Sequence, residues 1–386
     1  MKELDQNVRD YVDAHRQEML DLWRDLVNTE SGPAQKEGVD AVNARLRREM
    51  EAAGMSTRVI PMEKVGDVLV ADWDNGSKEA PVLLIGHMDT VFKPGAAEEN
   101  PFRVDENGNA HGPGVLDMKG GVVIALYAVK ALQAAGYCKR PVKFVLAGDE
   151  ETLHQSSNAQ QVMADEIRGG FAAFNFETGY PDDGIVVGRK GGSIVSFAVE
   201  GVAAHSGIAP EKGRSAVEEA AHKIISLQAM NDIPRGKLIN CGMVSGGIGE
   251  NTIAGACSLR CGLRFPTMEI KEELMAGCRA VADTVYVEGT KTTMKIEMVM
   301  DPMEHTEGVQ KLYELVEETA RDIGYGPVHP FEVGGVSDSS IAVVAGVPTV
   351  CGMGVKGEFN HTEKEYAIVE SLFSRAKLAA SAMARI

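Results

Sequence analysis

Residues 81–92 read PVLLIGHMDTVF. Val82 to Ile85 form a short, unbroken apolar run, the pattern of a strand buried on both faces. The run stops at a glycine and two polar residues, His87 and Asp89, that can bind a cation. The same style of run returns in PVKFVLAG (141–148) and FAAFNF (171–176). Between the first two lies MKGGVVIALYAVKALQAAG (118–136), which predicts a long crossover helix stopped by Gly136. Strand, crossover helix and strand make the repeating unit of a mixed or parallel sheet, so the fold class is α/β.

Working outward, helical periodicity covers 4–28 and 38–53, with Gly54 as a stop, and STRVIPM and VGDVLVADW read as strands. From about residue 190 the pattern changes. GGSIVSFAVEG alternates like a strand and GRSAVEEAAHKIISLQAM is helical; KLINCGMVSGG and TIAGACSLRCGLRF are strands, MEIKEELMAGCRAVADTVY is a helix, and TTMKIEMVM is a last strand. This β-α-β-β-α-β order predicts a ferredoxin-like α+β insertion. After 303 the α/β style resumes with a helix at 307–324, a strand near VPTVCGM and a C-terminal helix. The expected organisation is a catalytic domain in two parts, 1–188 and 303–386, with the inserted domain at 189–302.

Composition narrows the function classes. A net charge of -17 argues against a polyanionic partner, because nucleic-acid binders neutralise phosphates with Lys and Arg. An aromatic content of 5% leaves little to stack on bases. No apolar run approaches the ~20 residues of a membrane helix, and the charged N-terminus has no secretory h-region, so neither nucleic acid nor a membrane is an expected partner and the expected location is cytoplasmic. The six cysteines include no C-x-x-C pair and read as buried thiols; Cys257 and Cys261 share one face of a strand.

The polar residues then fall into a pattern. His87 and Asp89 follow the strand at 81–86, Glu150 and Glu151 the strand at 142–147, Glu177 the strand at 171–176, and His361 follows 347–351 by a loop. Open α/β sheets place their ligands at the C-terminal ends of strands. Asp117 joins them from the glycine-rich HGPGVLDMKGG. So many carboxylates buried together would repel one another or take up protons unless a cation is present, and a pair of divalent metals resolves the conflict. Nitrogen and oxygen ligands without thiolate suit a catalytic zinc site. His87 is then a ligand and Asp89 the carboxylate that fixes its tautomer. Asp149 reads as a solvated charge or helix cap, His15, His154, His222 and His329 as structural, and His111 as a loop residue.

GHMDTV, GPGVLDMKGG, GDEE, FETG and FNHTEKEY resemble, in order and spacing, the di-zinc amidohydrolase family of glutamate carboxypeptidase, aminoacylase, acetylornithine deacetylase and succinyl-diaminopimelate desuccinylase. The resemblance covers nearly the whole chain. It implies a zinc-exopeptidase-like catalytic domain, two zinc ions bridged by Asp117, one completed by His87 and Glu177, the other by Glu151 and His361, and Glu150 as general base. Cobalt or manganese are possible substitutes. A water between two metals is acidified at neutral pH, and the adjacent Glu150 can take its proton.

The resemblance further implies that the inserted domain is a lid and homodimer interface, that His205 in AAHSGIAP stabilises the carbonyl oxyanion, and that Asn251 and Arg264 face the substrate. A guanidinium suits bidentate recognition of a carboxylate. NTIAG lacks the proline that commonly follows the family's Asn, and Ser339 stands where the glycine-rich segment usually has alanine, while Pro113 resembles the glutamate carboxypeptidase branch. The expected activity is hydrolysis of an amide beside a free carboxylate in a small peptide or N-acyl amino acid. The alternatives are an N-acyl-amino-acid deacylase and a di- or tripeptide aminopeptidase.

Overall fold

The strand Val82–His87 is buried along its whole length, as its apolar run requires. In the computed structural model, which describes Met1–Ile386, it lies inside a six-stranded mixed sheet. Across the sheet the order is Ser56–Ile60, Gly66–Trp73, Val142–Gly148, Val82–His87, Ala172–Asn175 and Thr349–Val350. The last four run parallel to one another and the first two are antiparallel additions. The C-terminal ends of the four parallel strands therefore share one edge, where the candidate ligands lie.

The crossover helix is Gly120–Ala134, buried along most of its length and packed against the C-terminal helix Val369–Arg385. Its start is pressed against the sheet: a Cβ at Gly121 would stand 1.9 Å from the carbonyl oxygen of Phe176. Only glycine lets the helix begin that close to the strand end leading to Glu177. Each fully buried Leu, Ile or Phe in this layer contributes about 1.5–3 kcal/mol by leaving water, and Leu83, Ile85, Val145 and Met163 form one such cluster.

The predicted helix at 4–28 is two helices, Lys2–Ala14 and Arg16–Val27. At His15 the backbone leaves helical geometry (φ -110°, ψ 16°). Its ring nitrogen Nδ1 lies 2.7 Å from the Tyr11 carbonyl, and the ring stacks on Tyr11. Periodicity continues across the break, so the pattern alone does not reveal it.

The chain divides into two compact units. One holds Met1–Val187, His305–Glu332 and Ser337–Ile386; the other holds Gly188–Glu304 and Val333–Val336. In the second unit the strands Gly191–Glu200, Leu238–Gly246, Ala256–Phe265 and Lys291–Met300 form an antiparallel sheet in which Ala256–Phe265 and Gly191–Glu200 are central. Helices Ala216–Gln228 and Met268–Asp283 cover one face. Cys257, Leu259, Cys261, Leu263 and Phe265 alternate inward from a central strand, while the residues between them face outward. Ser215 and Thr267 cap the two helices by accepting the N–H groups of Glu218 and Ile270. The predicted strand at 252–265 is interrupted: Thr252–Ile253 pairs instead with Ala204–His205.

Candidate metal centre

Each candidate ligand arrives from its own element. His87 is the last residue of its strand. Asp117 sits in the irregular turn Val115–Lys119 that leads into the crossover helix, with a cis peptide between Asp117 and Met118. Glu150 and Glu151 open a single helical turn after Val142–Gly148, Glu177 follows Ala172–Asn175, and His361 lies in a loop with a left-handed backbone (φ 64°).

These elements bring two ligand groups together, His87 with Asp117 and Glu177, and Asp117 with Glu151 and His361, each with its donor atoms within 4.8 Å of one another. Asp117 belongs to both. Its Oδ1 is 3.2 Å from His87 Nε2, and its Oδ2 is 3.2 Å from His361 Nε2. Glu177 Oε1 stands 3.7 Å from His87 Nε2, and Glu151 Oε2 3.2 Å from His361 Nε2. The carboxylate is thus turned so that each oxygen serves a different imidazole.

The electrostatics describe a site short of positive charge. Desolvation would lower the proton affinity of the fully buried His87, yet Asp117, Asp89, Glu177 and Glu150 push its pKa well above the ordinary value. Hydrogen bonds that the ring donates to Asp117 and Glu151 push His361 up to about 11. Burial raises Glu150 strongly, with the Glu177 charge adding to it, and burial raises Glu151 as well. Burial works against the charge of Asp117 too, but the two imidazoles hold it well below the usual carboxylate range. Buried carboxylates gathered in this way call for the positive charge that divalent cations supply. Glu151 Oε1 is buried with no hydrogen-bond partner. An orphaned carboxylate oxygen beside two imidazoles, with no thiolate, fits a pair of divalent metals held by nitrogen and oxygen.

Asp89 does more than face a histidine. Its backbone oxygen is 3.0 Å from His87 Nδ1 and its carboxylate oxygen 3.4 Å. Both carboxylate oxygens also accept backbone N–H groups, Oδ1 from Glu150 at 3.1 Å and Oδ2 from Glu151 at 3.0 Å. One residue therefore fixes the imidazole and the turn that carries the paired glutamates.

Several supporting residues escape sequence reasoning. Glu365 accepts the N–H groups of Leu116 and Asp117, at 2.7 and 3.1 Å, and so holds the turn of the shared carboxylate. Burial, with Asp117 nearby, raises it to about 8. Asn360 Nδ2 donates to Asp117 Oδ2 at 3.1 Å. Lys119 is buried with Nζ on the Thr29 carbonyl at 2.8 Å, and desolvation brings it down to about 7. A charged residue inside an apolar helix start and an acid four residues past His361 were the available signals. The reading of Asp149 as a solvated charge is corrected: it is 2% exposed and paired to His154 Nδ1 at 2.7 Å. Its partner is five residues ahead across a turn that local patterning does not define. His111 pairs with Asp105 at 3.0 Å, outside the two ligand groups.

His205, Asn251 and Arg264 belong to the second unit. His205 and Thr252 are register partners, and Ser206 N donates to the Asn251 carbonyl at 3.0 Å, so His205 and Asn251 share one short ribbon. Arg264 is at the end of a central strand opposite Gly192. Beyond a bond to the Leu263 carbonyl, its guanidinium has no carboxylate partner.

The family model described as "Peptidase family M20/M25/M40" matches residues 83–385. Carboxypeptidase G2 of Pseudomonas sp. (strain RS-16) is 26% identical over 363 residues, covering 92% of this chain and 86% of its own. Acetylornithine deacetylase of Pasteurella multocida (strain Pm70) is 29% identical over 237 residues, 58% of this chain and 60% of its own. Among solved structures, the aminopeptidase PepT of Bacillus cereus ATCC 10987 shares the fold with a TM-score of 0.79 at 20% identity, over 96% of this chain and 98% of that one. The matched span reaches from the strand that ends in His87 through the loop of His361 to the C-terminal helix, and on it the chain belongs to peptidase family M20/M25/M40 and is a hydrolytic enzyme.

Proposed function

We propose that the enzyme hydrolyses an amide bond beside a free carboxylate, as a carboxypeptidase acting on small peptides, with two zinc ions as cofactor. The observation that carries this reading is the division of labour at the sheet edge. Asp117 is shared by two ligand groups while Glu150, adjacent to the ligand-group member Glu151, belongs to neither. A buried carboxylate beside the ligand groups and left out of both suits a general base.

His87, Asp117 and Glu177 would hold one metal, and Asp117, Glu151 and His361 the other. When bound, the pair supplies Lewis acidity towards water and the scissile carbonyl. Glu150 takes the proton from the attacking water and passes it to the departing amine. Asp89 keeps Glu150 and Glu151 in place through their backbone N–H groups.

Two features of the second unit support the substrate reading. Gly207 N donates to His205 Nδ1 at 3.2 Å, so the neutral ring carries its proton on Nε2 and can donate to an oxyanion. Gly192 leaves room for Arg264: a Cβ there would lie 2.6 Å from Nη1. An exposed guanidinium with no internal carboxylate is suited to one on a ligand. Asn251, on the ribbon of His205, is assigned to the same substrate-facing group. The free thiols suit a reducing compartment such as the cytoplasm.

The likeness to an acetylornithine deacetylase favours a second reading, an N-acyl-amino-acid deacylase with the same chemistry. One assay separates them: amino-acid release by the zinc-loaded enzyme from N-blocked dipeptides, N-acyl amino acids, and free-amine dipeptides with amidated ends. Cleavage of the N-blocked dipeptides is the expected result. Activity confined to N-acyl amino acids would establish the deacylase, and activity confined to free-amine substrates would defeat both readings and the role of Arg264.

A further inference from the structure

Just after the paired glutamates the chain makes two successive left-handed residues, Leu153 and His154, both with φ of 54°. Neither is glycine, so the surroundings must hold this turn against the backbone's own preference. Backbone bonds from Leu153 N to the Glu150 carbonyl and from His154 N to the Asp149 carbonyl close it, and the His154 side chain adds a tertiary hold. It is 5% exposed, with Nδ1 2.7 Å from Asp149 Oδ1 and Nε2 2.8 Å from Asp338 Oδ1. Both carboxylates are buried as deeply as the ring.

A neutral imidazole has one N–H, so hydrogen bonds to two carboxylates require the doubly protonated ring. Burial opposes that charge, but Asp338 and Asp149 raise the proton affinity of His154 well above the ordinary value. The result is a buried anion-cation-anion bridge between the turn of Glu150 and Glu151 and the start of the helix Ser339–Val344. Asp149 is completed by the Ser157 hydroxyl at 2.6 Å. Asp338 Oδ2 is buried without a partner.

We propose that His154 is a positioning residue for Glu150: by bridging Asp149 and Asp338 it locks the left-handed turn behind the paired glutamates and neutralises the two buried carboxylates that flank it. Without the imidazolium, two buried carboxylates lose their counter-charge, and the turn loses its side-chain tie to Asp338. The ring stands outside both ligand groups, so its removal acts on the aim of the base and leaves the ligand set intact. The proposal rests on the reading of Glu150 as general base.

The test compares kcat, KM and bound zinc for the full-length zinc-loaded enzyme and four variants: His154→Ala, Asp338→Asn, the double variant, and Glu150→Ala. The expected result for His154→Ala is a fall in kcat of about tenfold to hundredfold, with KM within twofold and zinc content unchanged. The double variant should recover several-fold over His154→Ala, because one of the two uncompensated carboxylates is gone. Should His154→Ala fail to fold, Asp338→Asn alone should lower kcat about tenfold at constant KM. Unchanged kcat per folded, metal-loaded molecule in the His154 and Asp338 variants overturns the proposal, as does loss of zinc in step with kcat. Glu150→Ala isolates the underlying reading: turnover retained in that variant removes the base assignment, whereas turnover lost there but kept in His154→Ala removes only the role of His154.

Discussion

At the scale of single residues, the site works by giving chemically identical groups different neighbours. Glu150 and Glu151 are adjacent in sequence, yet Glu151 faces His361 at 3.2 Å while Glu150 lies in the field of Glu177 and His87. The expected consequence is a clean contrast. Glu150→Ala should bind two metals and lose about 10²–10⁴-fold in turnover, whereas Asp117→Ala should lose both metals, because it removes the carboxylate common to the two groups. Metal analysis after gel filtration, alongside initial rates, checks both; one metal retained in Asp117→Ala would sink the shared role. Most of this was legible in the sequence, since motif order and strand-end placement marked His87, Asp117, Glu150, Glu151, Glu177 and His361. The second role of Asp89, gripping two backbone amides, was not legible: it depends on where a neighbouring strand brings the Glu150 turn, and residue type alone does not tell that.

At the scale of elements, the second unit carries its own buried charge. Lys223, fully buried on the helix Ala216–Gln228, donates to the carbonyls of Val281, Ala282 and Thr284 at the end of Met268–Asp283. It also lies 3.0 Å from Glu219, one turn back. Glu219 in turn accepts the N–H groups of Tyr286 and Val287. Desolvation would raise the Glu219 pKa, but these N–H groups and the Lys223 ammonium outweigh it and lower the pKa. A carboxyl whose folded pKa is depressed contributes stability that is present above its unfolded value of about 4.3 and is lost as pH falls through the folded value. Melting temperature between pH 5 and 3 should therefore fall more steeply in the parent than in Glu219→Gln; equal slopes would remove Glu219 from the acid response. Lys223→Met should cost about 3–5 kcal/mol at neutral pH by stranding the carboxylate, measurable by urea titration. Periodicity marked both helices, but in the sequence a Glu and a Lys four apart are indistinguishable from a solvated pair. Only packing against the end of the second helix buries them.

At the scale of the whole molecule, two compact units, with both candidate ligand groups in the first of them, make a thermodynamic prediction. A metal that binds only the folded state adds about 2.7 kcal/mol at a hundredfold excess over its Kd. Calorimetry with and without a chelator should therefore show the transition of the first unit falling and that of the second unmoved; an equal fall in both would refute a site held by the first unit alone. The edge strand Leu238–Gly246 exposes Met243 and Val244, and Ile225 is exposed on the neighbouring helix. An uncovered apolar edge strand favours pairing with another copy, so light scattering should report a dimer and Val244→Asp a monomer; a monomeric parent would dispose of the interface. The sequence by itself determined the α/β class, the strands and crossover helix and the ferredoxin-like insertion, and it marked the residues of the candidate metal centre, because apolar runs, periodicity and motif order are local properties that survive without contacts. Tertiary structure decided the break at His15, the two tasks of Asp89, the grip of Glu365 on the Asp117 turn, and the burial of Asp149 beneath His154 and Asp338. For the last two the physical reason is separation, since Asp338 lies 184 residues from His154 and Glu365 248 from Asp117. Whether a polar side chain is solvated or paired is settled by what the fold packs against it.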